Sequence, residues 1–563
     1  MSVANSTLDK PWKRPGRAAY ARRRLAGALR PPVTVYPMPP NVTKQADVPV
    51  RMRDGVTLRL NLFLPADVEG PFPVIMSAHP YGKDGVAKRK RGRWSLNPQF
   101  RVMNQTAPLR ISDQTSWEAP DPAWWAQRGY AVINLDTRGG GRSGGRGNLF
   151  SDQEADDIAQ VIAWAAAQPW STGRIGMLGV SYLALSQYKV AALNPPALKA
   201  ICPWEGFTDA YRDFFTPGGV VENGFARIWL ALSGRVARLE SNLAAERRKH
   251  PLRDAWWEAI TPNLSKITVP ILECTSFSDA NLHSVGSMRA FQRVSSPDRH
   301  AYTHRGPKWA TFYSEDALRH QLAFFDRHLR ERDVPRLPRI RLEIRDRLDH
   351  VTEVRDEQEW PLARTHWRQL HLSGGGLLTE VGAAEGSVTF DLKRNAAVFD
   401  YRFERDTELS GPMTLALHIA TTGAKDPRIF VGIEKWSRGA PTPFEGSYGY
   451  GRDRVAQGRL RLALRELEPV LSKPHQPEHT FATLQPVHDD EVMEVLIPLS
   501  SSATLFHAGD TLRLMIAGRY LEPRSPFFGH FPTHYEPSGS GKATISWAPG
   551  RPSVLEIPAI PAL

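Results

Sequence analysis

The stretch RIGMLGVSYLA at residues 174–184 decides the fold of this chain. Residues 175–178 are apolar and short enough for a buried strand, whereas residues 183–193 have helical periodicity. Ser181 therefore lies on a sharp turn between a strand and a helix, which would present its hydroxyl group at the edge of a sheet. The first turn of a helix leaves backbone N–H groups free to stabilise a negatively charged oxygen. The stretch predicts a serine nucleophile; the alternative is an ordinary strand–helix turn.

Short apolar runs alternate with helical patterns on both sides of this turn. Runs with the length of strands occur at residues 74–76, 130–135, 175–178, 198–201 and 269–272, and helical patterns at 155–167 and 183–193. A β-hairpin is predicted before them, at residues 48–65, because Asp54-Gly55 is a typical turn pair between two alternating strands. Strands that alternate with helices indicate an α/β fold with a mostly parallel sheet.

Two further regions depart from this pattern. Residues 206–264 are rich in Trp, Arg and Ala and predict helices without strands. Because this region lies between two strands of the sheet, we expect it to form a cap. Beyond Arg341, short strands separated by turn residues predict a β-sandwich or jelly roll.

The chain has 563 residues and a net charge of +13, much of it in one segment. Residues 1–30 hold eight Lys and Arg residues against Asp9, and a second basic run lies at residues 88–93. We interpret them as a solvated tail and a solvated loop; binding to an anionic surface is the alternative. No RNP, KH or zinc-finger pattern is present, so we expect no specific nucleic-acid partner.

Simple counts exclude other classes of protein. Cys202 and Cys274 are the only cysteines, which excludes a disulfide scaffold and fits a cytoplasmic protein. No apolar run approaches the roughly 18 residues of a membrane span. The sequence has no H-E-x-x-H pair and no Cys/His cluster, so we expect no metal. The glycine-rich residues 139–147 lack the G-K-[ST] ending of a P-loop, so we expect no cofactor.

Several short motifs occur in one order that resembles the CocE/NonD hydrolases (cocaine esterase-like and Xaa-Pro dipeptidyl-peptidase-like proteins of the α/β-hydrolase superfamily). They are RDG at residues 53–55, HPYGK at 79–83, DTRGGGRSGG at 136–145, GVSYLA at 179–184, EGF at 205–207, FFD at 324–326 and WPLAR at 360–364. The resemblance covers residues 48–520.

The resemblance implies an α/β-hydrolase core with an inserted helical cap and a C-terminal β jelly-roll domain. We assign residues 1–40 to a basic N-terminal extension and residues 41–205 and 263–335 to the hydrolase domain. Residues 206–262 are assigned to the helical cap and residues 340–563 to the jelly-roll β-sandwich.

A serine nucleophile needs a base, and the base needs an orienting carboxylate. In this fold the chain order is Ser, acid, His. Asp279 follows the strand at residues 270–275, where the family places its acid; a helix N-cap is the alternative.

The base is harder to assign. The family pattern G-P-W-x-H corresponds here to GPKWA at residues 306–310, with Ala310 in place of the expected histidine. We therefore predict His304, at the end of the preceding strand, as the base. His283, close to Asp279, and His320, in a predicted helix, are alternatives, and a missing base would leave a weak or inactive enzyme.

By the same resemblance, the oxyanion hole consists of the Tyr81 hydroxyl group and the Tyr182 backbone N–H. Two such donors aimed at the developing charge supply a large part of this kind of catalysis. A packed loop aromatic is the alternative for Tyr81.

The resemblance implies a serine hydrolase that cleaves an acyl ester or an amide or peptide bond through an acyl-enzyme. The expected substrate is a small acyl ester or amide or a short peptide, and a homo-oligomer is left open. An acyltransferase with the same acyl-enzyme and a degenerate, non-catalytic binding protein are the alternatives. An aminopeptidase-like member would bind a substrate ammonium group, for which Glu205, Asp209 and Glu222 are candidates; local ion pairing is their alternative.

Overall fold

The computed structural model describes residues 17–102, 107–442, 444, 446, 453–522 and 533–561. Its helices are α1 (Arg17–Leu29), α2 (Pro98–Val102), α3 (Pro122–Ala126), α4 (Asp152–Ala166), α5 (Tyr182–Ala191), α6 (Phe225–Val236), α7 (Leu243–Lys249), α8 (Ala255–Ala259), α9 (Ser284–Arg293), α10 (Lys308–Phe312) and α11 (Glu315–Arg330). A π-helical turn spans Ala210–Phe215, and 3₁₀ turns span Pro217–Gly219, Leu264–Lys266 and Leu462–Leu464.

The strands divide into two groups. The first comprises β1 (Val33–Tyr36), β2 (Val42–Arg51), β3 (Thr57–Pro65), β4 (Phe72–His79), β5 (Lys88–Lys90), β6 (Arg93–Ser95), β7 (Leu109–Ser112), β8 (Ala131–Asp136), β9 (Ser171–Val180), β10 (Leu198–Trp204), β11 (Ile271–Ser276) and β12 (Arg299–His304). The second comprises β13 (Ile340–Arg347), β14 (His350–Glu357), β15 (His366–Ser373), β16 (Leu377–Thr379), β17 (Gly386–Asp391), β18 (Ala396–Arg402), β19 (Thr407–Thr422), β20 (Arg428–Ser437), β21 (Ala440–Pro441), β22 (Ala456–Arg461), β23 (Met493–Phe506), β24 (Thr511–Ala517), β25 (Lys542–Trp547) and β26 (Val554–Ile560).

The first group builds a central sheet in the order β2-β3-β8-β4-β9-β10-β11-β12. The β2–β3 hairpin is antiparallel, and β3 pairs antiparallel with β8. The remaining strands in this order, β8, β4, β9, β10, β11 and β12, run parallel to one another. In a parallel sheet the carboxyl ends of the strands lie at one edge, where such folds bind their ligands. The residues that follow β9, β10, β11 and β12 are therefore neighbours at this edge.

Each face of the central sheet is covered by helices. Along β9, Leu178 packs in one core with Phe325 of α11, and Met177 packs in the other core with Ile162 of α4. Alternate side chains of a strand point to opposite faces, so a strand that is covered on both faces is apolar throughout. This explains why the sequence pattern identified the central strands.

Between β10 and β11 the chain forms the π-helical turn, α6, α7 and α8, in the region for which the sequence predicted helices without strands. Their position above the carboxyl ends of the strands places them over the site described below. Trp229 of α6, for example, donates a hydrogen bond from Nε1 to the Tyr81 hydroxyl group at 3.0 Å.

The second group of strands forms a largely antiparallel, strand-rich C-terminal domain around the long strand β19, which pairs with β23, β25 and β26. The jelly-roll topology itself stays a prediction. The link to the central sheet is direct, because β13 pairs in parallel with β12 and also pairs with β23 at one position.

The N-terminal region contains regular structure ahead of the hairpin predicted at residues 48–65. Within the described residues, α1 starts at Arg17, and β1 pairs in parallel with β7, Val33 opposite Leu109. The partner strand lies more than 70 residues further along the chain, so a local pattern could not indicate this pairing. Residues 1–16 of the predicted extension lie outside the described residues. Among the described helices, none is long and apolar enough to cross a membrane.

Candidate active site

Ser181 occupies the turn between β9 and α5 in a strained backbone conformation, with φ 58° and ψ −116°. Non-glycine residues rarely adopt positive φ, and such strain persists only where the surroundings enforce it. The Ser181 N–H donates to the carbonyl group of Trp204 at 3.0 Å. A Cβ atom at Gly179 would lie 2.4 Å from Cβ of Leu183, so only glycine fits there. These contacts hold the Ser181 hydroxyl group at the edge of the sheet.

The side chain that faces this hydroxyl group is His283. Ser181 Oγ lies 3.2 Å from His283 Nε2, and His283 Nδ1 lies 2.5 Å from Asp279 Oδ2. The N–H groups of Leu282, His283 and Ser284 all converge on the carbonyl oxygen of Asp279 at 3.0 to 3.1 Å. This tight turn after β11 brings the carboxylate and the imidazole of one short segment together in front of Ser181.

His304, which we predicted as the base, lies elsewhere. Its Nε2 is 3.1 Å from Glu205 Oε1, and its Nδ1 accepts the N–H of Gly306 at 3.1 Å. The physical reason is that β12 continues through His304, paired opposite Ser276, so this residue does not begin the loop. The predicted contact between His304 and Ser181 is therefore corrected to one between His283 and Ser181. His320 lies on α11, where its Nδ1 is bonded to the Asp316 carbonyl group.

Lys308 is a further member of the site that the sequence did not reveal. Its side chain is fully buried, and Nζ lies 2.7 Å from both Asp279 Oδ2 and His283 Nδ1 and 3.4 Å from Glu205 Oε2. Burial lowers the pKa of Lys308, but the charges of Asp279 and Glu205 outweigh this effect and raise it above its ordinary value. Lys308 is therefore a permanent cation beside the imidazole.

The same contacts set the charges of Asp279 and His283. Burial favours the neutral form of Asp279, yet the charges of Lys308 and His283 hold the pKa of its carboxyl group below the ordinary value. Burial and then the charge of Lys308 keep the pKa of His283 below its ordinary value, against the opposing effect of Asp279. At neutral pH the imidazole is therefore the free base, which is the form that can accept a proton.

Glu118 is another residue that no sequence motif marked. It is 5% exposed, has φ 64°, and its carbonyl group accepts the N–H of Val180 at 3.0 Å, directly before Ser181. Burial raises the pKa of Glu118 to about 8, against the opposing charge of Lys308. The structure thus places a neutral carboxyl group beside the serine at neutral pH.

Tyr81 and Tyr182, our predicted oxyanion pair, lie next to each other at the elbow. Their rings meet edge to face, with centroids 6.0 Å apart. The Tyr182 hydroxyl group donates to Glu154, while its backbone N–H belongs to the first turn of α5 and has no acceptor within that helix. Burial raises the pKa of Tyr81 well above its ordinary value, so its hydroxyl group keeps the proton it would donate.

The three acidic candidates for binding an ammonium group all have partners inside the protein. Glu205 contacts His304 and Lys308, and Asp209 pairs with Arg212 at 3.2 Å and Arg253 at 3.1 Å. Glu222 accepts three backbone N–H groups, those of Gly224, Ala226 and His534. These contacts agree with local pairing, the alternative to a role in binding a substrate ammonium group. Within the described ranges, no group of three or more His, Cys, Asp and Glu side chains could hold a metal ion.

Comparison with known proteins agrees with this architecture. The family model of X-Pro dipeptidyl-peptidase (S15 family) matches residues 54–307, and that of the X-Pro dipeptidyl-peptidase C-terminal non-catalytic domain matches residues 333–556. A crystal structure of a CocE/NonD family hydrolase from Staphylococcus aureus is 34% identical, covers 92% of this chain and 94% of its own, and superposes with a TM-score of 0.85. This chain belongs to the CocE/NonD hydrolase family.

The CocE/NonD assignment agrees with more distant relatives. Cocaine esterase from Rhodococcus sp. (strain MB1 Bresler) is 27% identical over an alignment of 452 residues, and the match covers 69% of this chain and 72% of that protein. An α-amino acid ester hydrolase shares the fold at 17% identity, with a TM-score of 0.66 over 92% of this chain and 97% of its own. The predictions of a CocE/NonD member, of the α/β-hydrolase fold with a β domain, and of a serine hydrolase are confirmed.

Proposed function

We propose that Ser181, His283 and Asp279 form a catalytic triad that hydrolyses uncharged acyl esters through an acyl-enzyme. The observation that carries this proposal is the continuous chain of contacts from Ser181 Oγ to His283 Nε2 at 3.2 Å and from His283 Nδ1 to Asp279 Oδ2 at 2.5 Å. This unbroken series of contacts favours an enzyme over a non-catalytic binding protein. Although Ala310 stands where the family has its base, His283 can accept the proton of Ser181 instead.

The first half-reaction forms the acyl-enzyme. Ser181 Oγ attacks the carbonyl carbon of the ester while its proton moves to His283 Nε2, and the carbonyl π electrons become the lone pair of an oxyanion. The Tyr81 hydroxyl group and the Tyr182 N–H donate to this oxyanion. The tetrahedral intermediate then collapses, the bond to the leaving group breaks, and His283 returns the proton to the departing alcohol.

The second half-reaction repeats these steps with water. His283 removes a proton from a water molecule, and the water oxygen attacks the acyl carbon. The bond from this carbon to Ser181 Oγ then breaks, and His283 returns the proton to Ser181. An amine or alcohol that replaces water would turn the same chemistry into acyl transfer. No contact in the described residues favours that variant.

The surroundings of the triad support an uncharged substrate. Phe207 stacks on the His283 ring at 6.2 Å between centroids, and Trp229 stacks on Phe150 at 5.9 Å and on Tyr182 at 6.2 Å. Apolar walls with a few polar groups are typical of small-molecule sites. Because the acidic candidates for an ammonium subsite are already paired, we rank acyl-ester hydrolysis above dipeptidyl-peptidase activity.

A fluorophosphonate probe tests the nucleophile, because it reacts only with an activated serine. We expect Ser181 to be the modified residue in peptide mapping, and S181A to remain unlabelled. An unlabelled wild-type protein that is folded and tested beside a known serine hydrolase would contradict the triad.

Substrate profiling tests the substrate class. We expect kcat/KM for p-nitrophenyl butyrate and p-nitrophenyl benzoate to exceed that for glycyl-prolyl p-nitroanilide, which carries an ammonium group. A higher value for the dipeptide amide would overturn the preference for uncharged esters and favour the dipeptidyl-peptidase alternative.

A further inference from the structure

Two nitrogen atoms, from His283 and Lys308, meet at a single oxygen of Asp279 behind the proposed serine nucleophile. Asp279 Oδ2 lies 2.5 Å from His283 Nδ1 and 2.7 Å from Lys308 Nζ, and these two nitrogens are themselves 2.7 Å apart. If His283 is to accept a proton at Nε2, its Nδ1 must carry a hydrogen, which it donates to Asp279. The ammonium group of Lys308 and the Nδ1–H of His283 are then adjacent donors that share one acceptor.

The charged and titratable groups around this point come from several elements. Asp279 and His283 belong to the turn after β11, Glu205 follows β10, His304 ends β12, and Glu118 lies in the segment before α3. Glu205 Oε2 is 3.4 Å from Lys308 Nζ, while its Oε1 faces His304 Nε2 at 3.1 Å. Burial raises the pKa of Glu118 to about 8, so this group is neutral over most of the working range. The ammonium group of Lys308 therefore lies close to two carboxylates, those of Asp279 and Glu205.

Protonation of His283 would place a second positive charge 2.7 Å from Lys308 Nζ. In a triad without such a cation, the carboxylate alone acts on the imidazole and favours its charged form. Here the ammonium group opposes that effect at close range and in a site without solvent exposure, where charges interact strongly.

We propose that Lys308 is a positioning residue that holds Asp279 in place and keeps His283 unprotonated in the free enzyme, which extends catalysis to lower pH. This inference rests on the triad proposed above. It also gives residues 306–310 a role, since the segment expected to supply the base supplies a cation instead.

The position of Lys308 is fixed by its neighbours in the chain. Arg305 is buried and pairs with Asp453 of the C-terminal domain at 2.9 Å, and Trp309 packs on Trp117 with ring centroids 4.7 Å apart. The ammonium group is therefore delivered by a segment anchored on both sides. A charge can shift the pKa of a neighbouring group reliably only if its position is held rigidly.

The test is the pH dependence, from pH 4.5 to 9, of the second-order rate constant for phosphonylation of Ser181 by the fluorophosphonate probe. This rate needs a neutral His283, so it falls on the acid side as the imidazole becomes protonated. In K308M we expect the midpoint of this acid limb to move up by about one pH unit or more. K308R, which keeps the charge, should restore the midpoint toward that of the wild type.

K435M is the matched control, because Lys435 is also a buried lysine, paired with Asp510 at 3.0 Å in the C-terminal domain. We expect its acid limb to coincide with that of the wild type. A K308M protein that is folded and labels with an unchanged acid limb would overturn the inference, whereas an unlabelled wild type would overturn the triad itself.

A second variant keeps the test decisive if K308M does not fold. E205Q removes a carboxylate that favours the charged form of His283 and leaves the ammonium group of Lys308 in place. Its acid limb should therefore move to lower pH, opposite to that of K308M. A shift of E205Q to higher pH, or no shift, would contradict the proposed balance of charges.

Discussion

Asp279 and His283 lie four residues apart on one tight turn, with His283 Nδ1 2.5 Å from Asp279 Oδ2. The geometry of this pair is set locally, by three backbone N–H groups that converge on the Asp279 carbonyl oxygen. Ser181 is held independently by the elbow between β9 and α5. The proposed triad therefore comes from only two segments of the chain. The segment after β12, where the family has its base, contributes no member of the triad.

The first prediction separates the three histidines considered as the base. H283A should lower kcat for p-nitrophenyl butyrate by at least about 10³-fold, because it removes the group that accepts the Ser181 proton. H320A is the matched control and should retain the wild-type rate, since His320 contacts the Asp316 carbonyl group on α11. Substantial activity in H283A together with its loss in H304Q would restore the assignment made from the sequence.

The second prediction concerns the alkaline limb of the activity. Burial raises the pKa of Glu118 to about 8, so its carboxyl group is neutral below that pH and ionises above it. The ionised form would repel the oxyanion that develops near Ser181, so kcat/KM should fall as the pH rises through about 8. E118Q cannot ionise, and its profile from pH 7 to 10 should lack this fall. An identical fall of kcat/KM at alkaline pH in the wild type and E118Q would show that ionisation of Glu118 does not cause it.

The same substitution has a predicted effect on stability. The folded state holds a proton on Glu118 up to about pH 8, whereas the unfolded chain releases it near the ordinary value of 4.5. The wild type therefore loses stability relative to E118Q between these values, by up to about 1.4 kcal/mol per pH unit. Thermal unfolding of both proteins at pH 5 and pH 8 measures this; E118Q should gain most at pH 8. A constant difference in Tm would argue against a raised pKa.

Features encoded by a short stretch of sequence can be predicted from it, whereas features that depend on contacts between distant segments cannot. The elbow at Ser181 and the central strands are local patterns, so the sequence indicated them directly. The expected contact of His304 with Ser181 is absent because it depended on where β12 ends, and strand ends are set by pairing with β11 and β13. The four-residue spacing of Asp279 and His283 was the available signal. Lys308 and Glu118 reach the site only through tertiary packing, which no motif encodes.

The next prediction concerns the oxyanion donors. Y81F should lower kcat by about 10²–10³-fold with little change in KM, because the hydroxyl group acts on charge that exists only in the transition state. W229F keeps the ring but loses the 3.0 Å hydrogen bond that orients the Tyr81 hydroxyl group. Its effect should be smaller, about fivefold, the value of one neutral hydrogen bond.

W164F is the matched control for the loss of an indole, because Trp164 lies on α4 and packs against Trp170, away from the cap. Its kcat should equal that of the wild type. A Y81F protein with unchanged kcat would show that the oxyanion is held by other donors.

The last prediction concerns the buried pair that joins the two domains. Arg305 contacts Asp453 at 2.9 Å and lies over the Phe444 ring at 4.2 Å. Removal of one partner of a buried pair costs about 3–5 kcal/mol, because an uncompensated charge remains inside. The two single variants should nevertheless differ in their response to pH, since a carboxyl group can become neutral and a guanidinium group cannot.

Burial raises the pKa of Asp453 to about 6 even with Arg305 beside it. In R305M this carboxyl group should stay protonated to a higher pH, so the loss of stability relative to the wild type grows as the pH rises above 6. In D453N no carboxyl group titrates here and the Arg305 charge is present in the folded and unfolded states throughout, whereas the wild type loses stability as the pH rises towards the Asp453 pKa of about 6. The cost of D453N should therefore shrink between pH 5 and 6 and stay constant from pH 6.5 to 8. Thermal unfolding of both variants at pH 5, 6.5 and 8 distinguishes the two courses. A parallel dependence would mean that Asp453 does not titrate in this range, and that the pair is held by its geometry alone.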